Sequence, residues 1–184
     1  MKIATILAIT AGCALAQPHI TSGEALSLPT IDVPRLLADH NIKSAEAFPD
    51  SLRMFRNANA ALPVALADMG DAVFCTKQRP ITDQCVAKFR TSVKKFHTEQ
   101  FDLRWSYRHA TEVLHAIELD ILARHIAAEK ERRFEFSLPE EIAVQRYLAR
   151  QQEYLDRSFG AAEKQWHETW RRAEKVLDNR KFRK

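Results

Sequence analysis

Glycine and proline are scarce in this chain, at 4 and 7 of 184 residues. A β-sandwich or barrel draws on both at its many turns, and a phosphate-cradling loop is built on glycine, so neither is expected. Charge of one sign is also lacking. Lys and Arg number 28 against 24 Asp and Glu, and a net charge of +4 is too weak a bias to expect nucleic acid as a partner. The chain contains no G-x-S-x-G, no H-E-x-x-H and no C-x-x-C-H. A nucleophile elbow, a zinc-protease helix and covalently attached haem therefore have no anchor, and enzyme activity is not the favoured reading. Met54 or Met69 with a histidine offers a non-covalent haem ligand pair, but core packing explains those methionines better; no cofactor is expected.

What is present is a globular composition, 46% apolar and 28% charged, in a length that suits one domain. Lys2 precedes an apolar run over 3–15, too short to span a bilayer, and Ala14-Leu15-Ala16 supplies small residues where a signal peptidase reads. The pattern predicts a cleaved signal peptide at 1–16 and a secreted or periplasmic protein. Thr10-Ala11-Gly12-Cys13 keeps a lipoprotein reading open. Of three cysteines, Cys13 leaves with the signal, and the pair Cys75 and Cys85 encloses nine residues. In an oxidising compartment the two should form a disulfide, and so short a ring stabilises by about 2–3 kcal/mol.

Residues 17–49 carry Pro18, Pro29, Pro34 and Pro49 and read as an extended arm with one helical turn around 35–40. A helical region follows at 51–73, with a break expected near Leu62 because Pro63 lies inside it. Between Pro80 and Pro139 there is neither proline nor glycine. Thr82 is a candidate N-cap. Apolar residues then recur at steps of three and four: Val86, Phe89, Val93, Phe96, Leu103, Tyr107, Ala110, Leu114, Ile117, Ile121 and Ala128, with Gln100 and Arg124 as polar interruptions. Such an alternation keeps one stripe facing a partner helix. Ser137-Leu138-Pro139-Glu140 resembles a capping box. The helix after it repeats the pattern with Leu148, Leu155, Phe159, Ala162, Trp166, Ala173 and Val176.

Helices over 82–134 and 140–180 would measure about 80 Å and about 60 Å. A turn at 135–138 folds them back antiparallel, placing Leu155 opposite Ile117 or Leu119, while the helices of 51–73 cover residues 82–95. The expected fold is thus all-α: an elongated, coiled-coil-like hairpin of long helices with shorter N-terminal helices packed at one end and one disulfide. A compact four-helix bundle, bent near 98–102, is the competing architecture. In domain terms, a signal peptide (1–16) and an arm (17–49) precede a helical domain (50–184).

Three groups of residues are candidates for function. His109, Glu112, His115 and Glu118 form a ladder at i, i+3 spacing, by which a helix can present imidazole and carboxylate to one metal ion. His115-Ala116-Ile117-Glu118 is similar to the H-x-x-E element of imelysin-like periplasmic proteins, whose membership would imply a helical fold and a link to iron; Val113 stands where that family has a glycine. Trp105 with Arg108, and Trp166 and Trp170 beside arginines, are of the types enriched at protein–protein hot spots. The tail residues Arg180, Lys181, Arg183 and Lys184 form a basic run suited to an anionic surface or an acidic partner.

The favoured expectation is an exported, non-enzymatic helical protein that binds other proteins or itself, as an assembly, adaptor or holding factor of a secretion or envelope system. Its outline is similar to those of periplasmic tentacle chaperones and minor pilus subunits. A metal or small-ligand carrier using the 109–118 ladder is the alternative. A secreted effector is a third class, although the R-x-L-R host-targeting motif is lacking, with Arg35-Leu36-Leu37-Ala38 failing at its last position.

Overall fold

The structure is a computed structural model that describes residues 31–77, 80–130 and 136–177. The expected signal peptide, the first part of the arm and the four basic tail residues lie outside the described residues. Five helices follow one another: α1 (Val33–Asp39), α2 (Lys43–Glu46), α3 (Phe48–Cys75), α4 (Asp83–Lys130) and α5 (Leu138–Leu177). Among the described residues there is no strand. The fold is all-α, and Cys75 and Cys85 are joined by a disulfide that closes the α3–α4 connection.

The apolar steps of three and four decide how the long helices pack. On α4, Phe89, Phe96, Leu103, Ala110, Leu114, Ile117 and Ala128 are buried, and Val86, Val93, Tyr107 and Ile121 pack against them. On α5, Leu148, Leu155, Ala162, Trp166 and Ala173 are buried. Thr82 accepts a hydrogen bond from the Cys85 amide at 3.2 Å, as an N-cap should. Glu140 reaches back to the Ser137 amide at 2.8 Å, and the Ser137 hydroxyl donates to the same carboxylate at 2.7 Å. That is half of a reciprocal capping box, since the hydroxyl is here a donor.

α4 spans 48 residues without interruption, about 72 Å, so the compact bundle bent near 98–102 is not formed. α5 returns antiparallel beside it. Tyr107 stacks on Phe159 with centroids 4.2 Å apart and donates to Asp156 at 2.7 Å, and Phe96 stacks on Trp170 at 5.8 Å. These pairs set Leu155 level with Ala110 and Leu114, and not with Ile117 or Leu119.

Two features of the N-terminal half differ from expectation. The arm is not extended in its described part: α1 buries Val33 and Leu37, and Ile42 follows them into the core. Asp32 caps α1 by accepting from the Arg35 amide at 3.3 Å. Asn41, at φ 53°, makes the left-handed turn into α2, a conformation asparagine tolerates better than most residues. The break near Leu62 is also absent, because α3 runs straight through Pro63. Proline there removes one backbone hydrogen bond, but its ring lies on the exposed side. Leu62, Ala65 and Met69 are fully buried on the other side and hold the helix against α4. α3 consequently lies along α4 from the disulfide as far as Tyr107, whose ring is 6.2 Å from Phe55, and covers more than the expected end. Small buried residues, among them Ala65, Ala72, Ser92 and Ser106, let this pair approach closely.

α1 and α2 continue the third layer beyond α3. The Ser44 hydroxyl and amide both donate to Asp120, at 2.7 and 3.2 Å, and Arg124 donates to the Asn41 carbonyl at 2.7 Å. These bonds from Ser44 hold the Asp120 carboxyl below the usual carboxylate range. The hydrogen bonds from Ser137 do the same for Glu140. A carboxyl with a depressed folded pKa stabilises the fold above its unfolded value, and the contribution is lost as pH falls through the lower one. The melting temperature should therefore drop between about pH 5 and about pH 2. Asp120→Asn keeps an acceptor but has no charge to lose, so its drop should be smaller in the same circular dichroism melts. Equal drops would show that the α2–α4 contact plays no part in acid sensitivity.

Candidate functional site

The outer face of α4 is where chemistry-bearing residues meet solvent. A helix that turns one stripe inward at steps of three and four must present a second stripe of the same spacing on its far side. Here that stripe is Phe101, Trp105, Arg108, Glu112, His115, Leu119, Leu122 and Ile126. Phe101 is 68% exposed, Trp105 49%, Leu119 51%, Leu122 46% and Ile126 49%. α3 flanks it on the side of Asp102 and Ser106, where Met54 and Trp105 border a shallow groove, and α5 flanks it on the side of Arg104 and Tyr107. Among the described residues, nothing covers the stripe itself.

The proposed ladder lies in the middle of this face and its members engage in pairs. His109 stacks on Trp105 with centroids 5.3 Å apart. Glu112 accepts from Arg108 Nε at 2.7 Å, and His115 Nδ1 lies 3.4 Å from Glu118. Among the described residues, no group of three or more His, Cys, Asp or Glu side chains is placed to hold one metal ion. The ladder's geometry is that of solvated i, i+3 and i, i+4 pairs on an exposed helix.

The aromatic candidates separate. Trp105 and Arg108 are exposed neighbours on the α4 stripe. Trp166 is only 1% exposed, with the Arg104 guanidinium 4.4 Å above its ring and Phe159 edge-on at 6.2 Å. It is a core residue and not a partner contact, which corrects the expectation from its arginine neighbours. Trp170 is half-buried between Phe96 and His97, with only part of its ring accessible. Where α1 meets the start of α5, residues including Pro34, Arg146 and Tyr147 line a second groove, and burial pushes the Tyr147 hydroxyl pKa up. The Tyr107 hydroxyl is raised for the same reason, helped by its bond to the Asp156 carboxylate.

Nothing in the sequence alone marks Phe101, Leu122 and Ile126 as functional. Residues 101–126 carry two interleaved alternations of three and four, but only the buried one follows the usual rule for a core. No described helix is long and apolar enough to cross a membrane. Comparison with protein-family models, with curated proteins and with solved structures finds no match to this chain.

Proposed function

We propose that this chain is an exported helical protein that works by binding other proteins, as an assembly, adaptor or holding factor, and that the outer face of α4 is its binding surface. Export is supported by the basic start, the apolar run and the Ala14-Leu15-Ala16 site, and by the pairing of the two remaining cysteines. The observation that carries the binding role is the stripe itself. Five large apolar side chains stand about half-exposed or more along one rigid helix face, over about 38 Å. They form two apolar patches, Phe101 with Trp105 and Leu119 with Leu122 and Ile126, on either side of Arg108, Glu112 and His115, and soluble monomers rarely leave such surface open to water without a use for it. Trp105 and Arg108, neighbours towards one end of it, are residue types that dominate interface energetics.

The test is a photo-reactive amino acid in place of Trp105, with the protein made in its own host. Illumination should yield covalent protein adducts that the same residue placed at Arg150, exposed on α5, does not. Absence of adducts from position 105 would remove the proposal.

A further inference from the structure

We infer that the partner on the outer face of α4 is a second copy of this chain, docked antiparallel along the helix about a twofold axis midway between Glu112 and His115. This rests on the reading that the face binds protein, and commits it to one occupant. The argument begins with spacing. The eight stripe residues are separated by steps of 4, 3, 4, 3, 4, 3 and 4, read from Phe101 to Ile126. Any alternation of three and four bounded by equal steps reads the same in both directions, so a twofold axis lets two copies of the stripe meet layer by layer, and it is the charges at the centre that favour this register. Phe101 then faces Ile126 of the second copy, Trp105 faces Leu122, Arg108 faces Leu119 and Glu112 faces His115, and each layer occurs twice.

The chemistry of the layers agrees with that register. Aromatic rings at one end of the stripe meet branched aliphatic side chains from the other end, so apolar contact is made at both ends of the seam. At the centre, Glu112 finds a histidine of the second copy while keeping its bond from Arg108 of its own helix. Arg108 lays its aliphatic stem over Leu119 of the second copy with its guanidinium still at Glu112. A parallel pairing would set Arg108 against Arg108 and Glu112 against Glu112, so charge selects the antiparallel arrangement. Ala116 and Ala123 flank the seam and leave room for a close approach of the two helices.

The experiment is sedimentation velocity on the purified protein as its host produces it, across concentration, together with the photo-crosslink from position 105. Dimers are expected, with adducts of twice the chain mass linked near Leu122. Leu122→Asp should weaken the dimer about tenfold or more by placing a carboxylate against Trp105 of the second copy. Leu122 is half-exposed in the single chain, so the variant's far-ultraviolet circular dichroism should be unchanged. Glu112→Lys should weaken association, and Glu112→Lys combined with His115→Glu should recover it. A dimer indifferent to Leu122→Asp would overturn the inference. So would a monomer at every concentration whose position-105 adducts contain only other proteins, and that result would leave the protein-binding reading standing. No adducts at all would remove both.

Discussion

Leu155→Asp is expected to be among the most damaging single substitutions in the molecule. Leu155 is 0% exposed on the inner face of α5, next to Tyr154, whose ring lies 6.3 Å from Phe55 of α3, and near the level of Ala110 and Leu114 of α4. An aspartate there brings an unpaired carboxylate into an apolar seam, at a cost of about 3–5 kcal/mol. A domain of this size holds about 5–15 kcal/mol in total, so much of the stability goes with one side chain. Since 1 kcal/mol moves the melting temperature by about 2–4 °C at this length, a fall of about 6–20 °C is expected. Arg150→Ala, on the exposed face of the same helix, should change stability by about 0.5 kcal/mol or less. Thermal melts followed by circular dichroism make the comparison, and equal melting points would refute the buried seam.

Trp166→Ala should come close behind. The indole is enclosed by Phe159 and the Arg104 guanidinium, and its removal leaves a cavity that rigid helices collapse poorly around. Large aromatic residues truncated in a core cost about 3–5 kcal/mol. Trp105→Ala removes the same atoms from a half-exposed position and should stay within about 0.5 kcal/mol. In the binding experiments the order should reverse, with Trp105 mattering and Trp166 mattering only through folding. If the two variants melt alike, the division of the tryptophans into core and surface is wrong.

Much of this division is invisible in the chain because the local surroundings of the two tryptophans are so alike. Trp105 lies between Arg104 and Arg108, and Trp166 lies four residues before Trp170 with Arg171 and Arg172 after it. Composition cannot tell an arginine that covers a core ring from one that lines an interface. The same holds for the ladder of His109, Glu112, His115 and Glu118. Its spacing is compatible with a metal, but whether the groups converge depends on what a neighbouring helix brings, and no described helix brings a ligand to them. Pro63 misled for a different reason. A proline breaks an isolated helix, whereas here Leu62, Ala65 and Met69 pack on both sides of it in sequence and hold the helix straight through.

What the sequence by itself determined is what depends on local periodicity: the all-α class, two long helices with their buried stripes, the Thr82 cap, the Glu140 reach-back and the Cys75–Cys85 pairing. The helices, stripes and caps are relations between residues within a few turns of one another, where helix geometry alone dictates which side chains share a face, and the disulfide follows from two cysteines left close together in sequence. Only the tertiary structure decided the register of α5 on α4, the extension of the third layer through α1 and α2, and which apolar stripe of 101–126 remains open. Those depend on which helices pack beside α4 and on how closely α3 can approach it through Ala65, Ala72, Ser92 and Ser106. A periodic pattern names two faces of a helix but does not count its neighbours. Whether a stripe becomes core or surface is settled only when every other helix has taken its place.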